Sequence, residues 1–233
     1  MKKSLFATVV ISALLLVTAC SHKKNHKKKD KVESTTAYTI PVTQDTLSSM
    51  TATWPGPSQA AITALSAKYG LPQTITDEMV VWTSTAPFKR SIVYKEEINH
   101  QFPMQHSDVL MQTVDYRVPL DKVAHLAKFD GSLLVDRTKG ELSTRNDIEE
   151  MNILSLNLAD KIVRGQMTAE QARREYARNA QAFEAGSSGP LVSSLMFQST
   201  GNTQDPDRMM QSQEARKKRE MAAPVDVEEV IED

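Results

Sequence analysis

The sequence predicts an α+β fold: a small antiparallel sheet of three to five strands, packed by an N-terminal helix and a C-terminal helical hairpin, with disordered tails. Three observations carry that expectation. Apolar residues recur at helical spacing near residue 60 and again from 148 to 183, and each run ends on a glycine. Between these runs, residues 79–145 hold short alternating segments bounded by Pro, Gly and Asp, the pattern of strands with one buried face. Outside 54–186, apart from the apolar runs 5–17 and 191–197, the chain is dominated by charge or by Ser and Thr, a composition that cannot supply a core.

The chain opens with Lys2 and Lys3, an apolar run from Leu5 to Val17, and a cysteine followed at once by Ser21-His22-Lys23-Lys24. That run is shorter than the ~20 apolar residues a spanning helix needs and has the layout of a secretory signal peptide. Leu16-Val17-Thr18-Ala19-Cys20 resembles the lipobox of bacterial lipoproteins. The resemblance implies cleavage before Cys20 and a lipid-carrying cysteine, with residues 1–19 a signal peptide. Ser21, in place of Asp, implies the periplasmic face of the outer membrane by the same resemblance. Each buried methylene adds ~0.8 kcal/mol of membrane affinity, so two or three acyl chains would hold the chain firmly.

Loss of residues 1–19 would remove two lysines and no acidic residue, changing the formal charge from −1 to −3. Nothing in that balance indicates a nucleic-acid partner. Cys20 is the only cysteine, so no internal disulfide can form and the fold must rest on its core. Residues 20–53 read as a basic, then Ser/Thr-rich, tether. Lys23, Lys24, Lys27, Lys28 and Lys29 can meet anionic headgroups, at about 1 kcal/mol each near a charged surface, or serve as a solvated spacer.

Trp54-Pro55-Gly56-Pro57 marks a helix-averse corner, after which Ser58 is placed to cap a helix carrying Ala61, Ile62, Leu65 and Tyr69. Gly70 and Pro72 stop it. Met79-Val80-Val81-Trp82 is a short strand, and Ile92, Tyr94 and Ile98 alternate with Val93, Lys95 and Glu97 in a second. Phe102-Pro103 ends that strand. Val109 to Val118 alternates again, Pro119 opens a short helix with Val123, Leu126 and Phe129, and Asp130-Gly131 signals a turn. Leu133 to Arg145 predicts one strand, or two around Lys139-Gly140. Asp147 with Glu150 reads as a capping box ahead of the stripe Ile148, Met151, Leu154, Leu158 and Ile162, and Thr168 with Gln171 as a second box ahead of Ala172, Tyr176, Ala180 and Phe183. Beyond Gly186 the expectation is a largely disordered tail in which Leu191 to Phe197 docks as a strand or collapses on the domain.

Two constellations could carry chemistry. His100, His106 and Asp108 fall in the Pro-broken stretch between two strands and, with His125, are the candidate metal ligands; imidazole and carboxylate suit zinc or a similar ion. Their spacing matches no metalloenzyme signature, and HExxH is absent. Charges at Asp136, Arg137, Glu141 and Arg145 read as cross-strand ion pairs on a wet sheet face or as an acid and base for proton transfer. There is no GxSxG, phosphate loop or dinucleotide fingerprint, so neither a catalytic residue nor a bound organic cofactor is indicated.

Lys68-Tyr69-Gly70-Leu71-Pro72, Val114-Asp115-Tyr116-Arg117-Val118-Pro119 and Phe129-Asp130-Gly131-Ser132 resemble segments of an uncharacterised family of bacterial envelope proteins. That resemblance implies no activity and no ligand. The first phrase also resembles the small outer-membrane assembly lipoproteins of the BamE type. Together these give three expectations: a lipid-anchored, non-catalytic module binding an envelope protein or cell-wall polymer; an envelope hydrolase or metal-dependent enzyme using His100, His106 and Asp108; and a tether between membrane and wall.

Overall fold

The computed structural model describes residues 41–83, 85–199, 205–209 and 213–221. Cys20, the lipobox and the five tether lysines lie outside the described residues. Among the described residues the fold is α+β, with seven helices and one six-stranded antiparallel sheet. The strand order is β1-β2-β3-β4-β6-β5.

Helix α1 (Gln44–Thr51) begins inside the stretch read as tether, with Thr43 accepting from the Thr46 amide as its N-cap. Leu47 anchors it in the core. Helix α2 (Gly56–Tyr69) starts at Pro55 with no side-chain cap. Ser58 lies inside this helix, contrary to the expected capping role, and its hydroxyl donates to the Tyr94 carbonyl at 2.8 Å. Gly70, at φ 78°, ends α2 as expected, and its carbonyl accepts from the Trp82 indole.

Strands β1 (Thr74–Ile75), β2 (Met79–Thr83), β3 (Arg90–His100) and β4 (His106–Asp115) form a meander. After helix α3 (Leu120–Phe129) come β5 (Leu134–Asp136) and β6 (Glu141–Asn146), and β6 inserts between β4 and β5. The sheet thus exceeds the three to five strands expected because two-residue β1 is too short to show an alternation.

Helix α4 (Glu149–Val163) pairs with α5 (Ala169–Glu184) as the expected hairpin. The Thr168–Gln171 capping box is present. The Asp147–Glu150 box is not: Ile148 occupies the N-cap and makes no side-chain cap bond. A one-turn helix, α6 (Pro190–Ser193), sets Val192 into the core, and Phe197 follows it there; α7 (Gln213–Met221) lies further on.

Two apolar clusters flank the middle of the sheet. One joins Leu47, Trp54, Ile62 and Leu65 to Val80, Trp82, Val93 and Leu110; the other joins Val114 and Leu142 to α3, α4, α5 and α6. Between them runs a seam of buried polar groups. Gln112 Nε2 donates to Ser91 Oγ (3.0 Å) and Glu149 Oε2 (2.6 Å), and its Oε1 accepts from Asn152 Nδ2 (3.1 Å). Asn152 also donates to the Leu110 carbonyl and accepts from Asn146, while Ser155 donates to Asp130. Glu149 is further held by Lys68 and the Tyr69 hydroxyl. Every seam member has a partner, as burial demands. Helix α4 is therefore buried all round: Glu149, Asn152 and Ser155 meet the sheet, and Met151, Leu154 and Leu158 join the helical cluster.

On the opposite sheet face, Glu141 accepts from Arg90 and pairs with Lys89 at 3.0 Å, and Lys89 also reaches Asp115 at 2.7 Å. Of the four expected charges only Glu141 pairs across strands here, and it is buried rather than on a wet face; Arg137 pairs with Asp207, Asp136 with Lys139, and Arg145 lies over the Tyr94 ring. The Arg90 hydrogen bond, helped by Lys89 and opposed by burial, lowers the Glu141 carboxyl to about 2. A depressed acid contributes stability above its unfolded value of 4.5 and loses it as pH falls from there toward 2. With Lys89 half exposed, the contribution is about 2 kcal/mol. Glu141→Gln should flatten the pH dependence of Tm between pH 5 and 2.5; an unchanged slope in thermal melts would refute the assignment.

Candidate metal centre

His100 is the last residue of β3 and His106 the first of β4, so neither is a loop residue as the Pro-broken sequence suggested. Their register makes the site. His100 lies directly opposite His106, and Ile98 opposite Asp108. Directly opposed residues share a face, and so do residues two apart on one strand, so all three side chains project to the helix-covered side. A register shift between Val93 and Ile98 restores the pairing past the irregular stretch 94–97.

The hairpin end is clamped onto α5. The Phe102 ring packs against Tyr176 at 5.2 Å and lies under the Arg173 guanidinium at 3.7 Å, and Arg173 donates to the Phe129 carbonyl at 2.7 Å. The contact of half-buried Phe102 with buried Tyr176 and the cation–π contact with Arg173 hold residues 101–105, and with them the two histidines.

His106 Nε2 lies 3.0 Å from Asp108 Oδ1, and His100 Nδ1 lies 3.3 Å from Asp108 Oδ2. His106 Nε2, His100 Nδ1 and Asp108 Oδ1 are buried atoms held in these ion pairs without a hydrogen-bond partner of ordinary geometry. Buried polar atoms without partners are rare. One donor atom from each residue lies within 4.8 Å of the others. Donors bound at ~2.1 Å around one ion sit about 3.0 to 3.4 Å apart in cis-octahedral or tetrahedral arrangement. The two histidine–aspartate separations, each to a different Asp108 oxygen, fall in that range, while the three-ligand group as a whole spans up to 4.8 Å and would contract around an ion.

The outer faces of the rings fit the same use. His106 Nδ1 lies 3.0 Å from the Met104 carbonyl, and as an N–H there it fixes the tautomer that leaves the Nε2 lone pair inward. Burial pulls His106 down, but Asp108 and the Met104 carbonyl outweigh it and raise the metal-free imidazole to about 9. Two imidazoles and one carboxylate suit zinc, iron(II), manganese(II) or cobalt(II), and three protein ligands leave positions for water or substrate.

A cavity of about 380 Å³ opens beside His106. Met104, Met151, Tyr176 and Phe183 give it apolar walls, with Asp147 at its edge. The Tyr176 hydroxyl donates to Asn146 Oδ1 at 3.0 Å, and burial, with the nearby Asp130 carboxylate, pushes the phenol far above its usual range.

The fourth expected ligand, His125, is exposed on α3 and does not join the group. Asp130 was legible only as a turn residue. It is buried, accepting from the Ser132 amide and hydroxyl, and Oδ1 lies 3.8 Å from His100 Nε2. The Asp-Gly-Ser signature foretold the turn, but nothing local foretold the histidine above it. On the open sheet face Met79, Val81, Tyr94 and Met111 are half-buried, and none is among the exposed large apolar residues. The register places Met79 beside Tyr94, and Val81, Ile92 and Met111 in one row across this face. Among the described residues no helix is long and apolar enough to cross a membrane. In comparisons with known proteins, no family model, no curated protein and no solved structure matches this chain.

Proposed function

We propose that this chain is a lipid-anchored envelope protein whose α+β domain binds one divalent transition-metal ion on His100, His106 and Asp108, with coordination positions left open for chemistry. The observation that carries the reading is the convergence of three buried donor atoms without a hydrogen-bond partner of ordinary geometry. The cavity beside His106 extends it from holding an ion to acting on a small molecule, because an ion held by His100, His106 and Asp108 would supply water acidification or substrate polarisation beside that space. This is the metal-dependent alternative rather than the non-catalytic docking module, and the grouping of His100, His106 and Asp108 is what favours it.

Anchoring rests on Leu16-Val17-Thr18-Ala19-Cys20, and the outer membrane facing the periplasm is the compartment this motif and Ser21 favour. Cys20→Ala should abolish incorporation of labelled palmitate and move the chain out of the membrane fraction. Unchanged labelling and fractionation would refute the anchor. For the ion, zinc titration of the chelator-stripped full chain should saturate at one equivalent, and the His100→Ala, His106→Ala, Asp108→Ala triple variant should show none. Equal binding by both proteins would refute the site.

A further inference from the structure

We propose that Asp130 is the outer-sphere carboxylate of this centre: it holds the His100 ring with Nδ1 toward the ion and supplies the second negative charge that neutralises a bound dication. This inference rests on the metal reading above and adds to it a positioning residue outside the ligand set. An imidazole that gives one nitrogen to a metal carries its proton on the other, and that N–H takes a carboxylate or carbonyl partner which fixes the ring and raises its basicity. His106 has such a partner in the Met104 carbonyl at 3.0 Å. For His100, Nδ1 lies 3.3 Å from Asp108, while Nε2 faces Asp130 Oδ1 at 3.8 Å. A movement of roughly 1 Å by the ring would bring that pair to ordinary hydrogen-bond length.

Asp130 is built to receive that proton. It is 1% exposed, and its carboxylate is fixed at both oxygens. Oδ1 accepts from the Ser132 amide (2.9 Å) and hydroxyl (2.8 Å), and Oδ2 accepts from Ser155 (3.2 Å). Among the described residues no lysine or arginine pairs with it; its one ion-pair contact is His100. A buried carboxylate without a cation is expensive to keep ionised. Asp108, 3% exposed, has the two histidines as its ion-pair partners, and no lysine or arginine among the described residues pairs with it. With neutral imidazoles, these two carboxylates match the charge of one dication.

The seam makes the arrangement rigid. Ser155, which fixes Oδ2, lies within hydrogen-bond reach of Asn146, and Asn146 is held in turn by Asn152 and the Tyr176 hydroxyl. Asp130 thus links the metal site to the polar core of the fold. A purely structural Asp130 would affect stability alone, whereas a positioning Asp130 also sets metal affinity.

The test measures zinc dissociation constants for the chelator-stripped full chain by competition with a chromophoric chelator, in the wild type, Asp130→Asn and Ser155→Ala. Asp130→Asn keeps the shape and removes the charge; Ser155→Ala removes the bond to Oδ2 and leaves the oxygen facing His100. Loss of an outer-shell partner typically weakens metal binding by about 10- to 100-fold, so Asp130→Asn should fall in that range. Ser155→Ala should stay within about threefold of wild type, although both variants lower the Tm of the metal-free protein. Equal affinities for Asp130→Asn and wild type, or equal weakening by the two variants, would overturn the role. Should Asp130→Asn fail to fold, nitrogen-15 NMR of the zinc-loaded wild type decides the matter: His100 Nε2 must carry a slowly exchanging proton, and a metal-bound Nε2 overturns the inference. A wild type that binds no zinc removes the metal reading and this inference together, while zinc binding unaffected by Asp130→Asn removes only the second.

Discussion

Asp108→Ala should weaken zinc binding by more than about 100-fold, beyond the usual effect of an outer-shell change. Asp108 is the one residue that faces both histidines, with an oxygen toward each, so its loss removes a donor and half of the buried negative charge. The metal-free variant should still fold. Its neighbours His100 and His106 keep their packing against each other, with ring centroids 4.9 Å apart, and the hairpin end keeps its clamp through Phe102. The measurement is a zinc competition titration with circular dichroism on the same sample. Wild-type affinity in a folded Asp108→Ala protein would show that the three side chains form an ordinary buried ion-pair cluster.

The largest stability effect is expected at Asn152. Its amide bonds the Leu110 carbonyl (3.0 Å), Gln112 Oε1 (3.1 Å) and Asn146 Nδ2 (3.0 Å), all in the seam between the two apolar clusters. Asn152→Ala leaves those three groups buried without that partner. At 1–3 kcal/mol for each unsatisfied group, less what relaxation and water recover, the loss should be about 4 kcal/mol. For a domain of this size that lowers Tm by roughly 10 °C. Chemical denaturation reads the same quantity, and a loss below about 1 kcal/mol would mean the seam is not a strut of the fold.

Local rules made much of the architecture legible. The Thr168–Gln171 box, the stops at Gly70, Gly165 and Gly186, and the alternation in β4 each follow from a few neighbouring residues, whereas the alternation read for Ile92, Tyr94 and Ile98 fails because the register shift between Val93 and Ile98 puts Ile98 on the other face. Helix α4 shows where such rules end. An amphipathic pattern assigns Glu149, Asn152 and Ser155 to solvent, because sequence spacing shows faces and not what covers them. Here the sheet covers them, and their polarity is used inside. Helix α1 was hidden differently: its Ser- and Thr-rich sequence looks like a linker, yet Thr43 caps it and Leu47 anchors it.

The candidate site was half legible. His100, His106 and Asp108 drew notice as ligand types close in sequence, but only the β3–β4 register places the histidines opposite each other. His125 belonged to the same list by residue type alone, and α3 carries it elsewhere. Asp130 and Tyr176 reach the site through long-range packing that no local spacing encodes.

The most direct measurement is elemental analysis of the full chain, purified from the membrane fraction without chelators, beside the Asp108→Ala variant. The metal reading predicts about one equivalent of a divalent first-row transition metal in the wild type and close to none in the variant. A folded wild-type protein that carries no metal, and takes up none on incubation with zinc, iron(II), manganese(II) or cobalt(II), would contradict it.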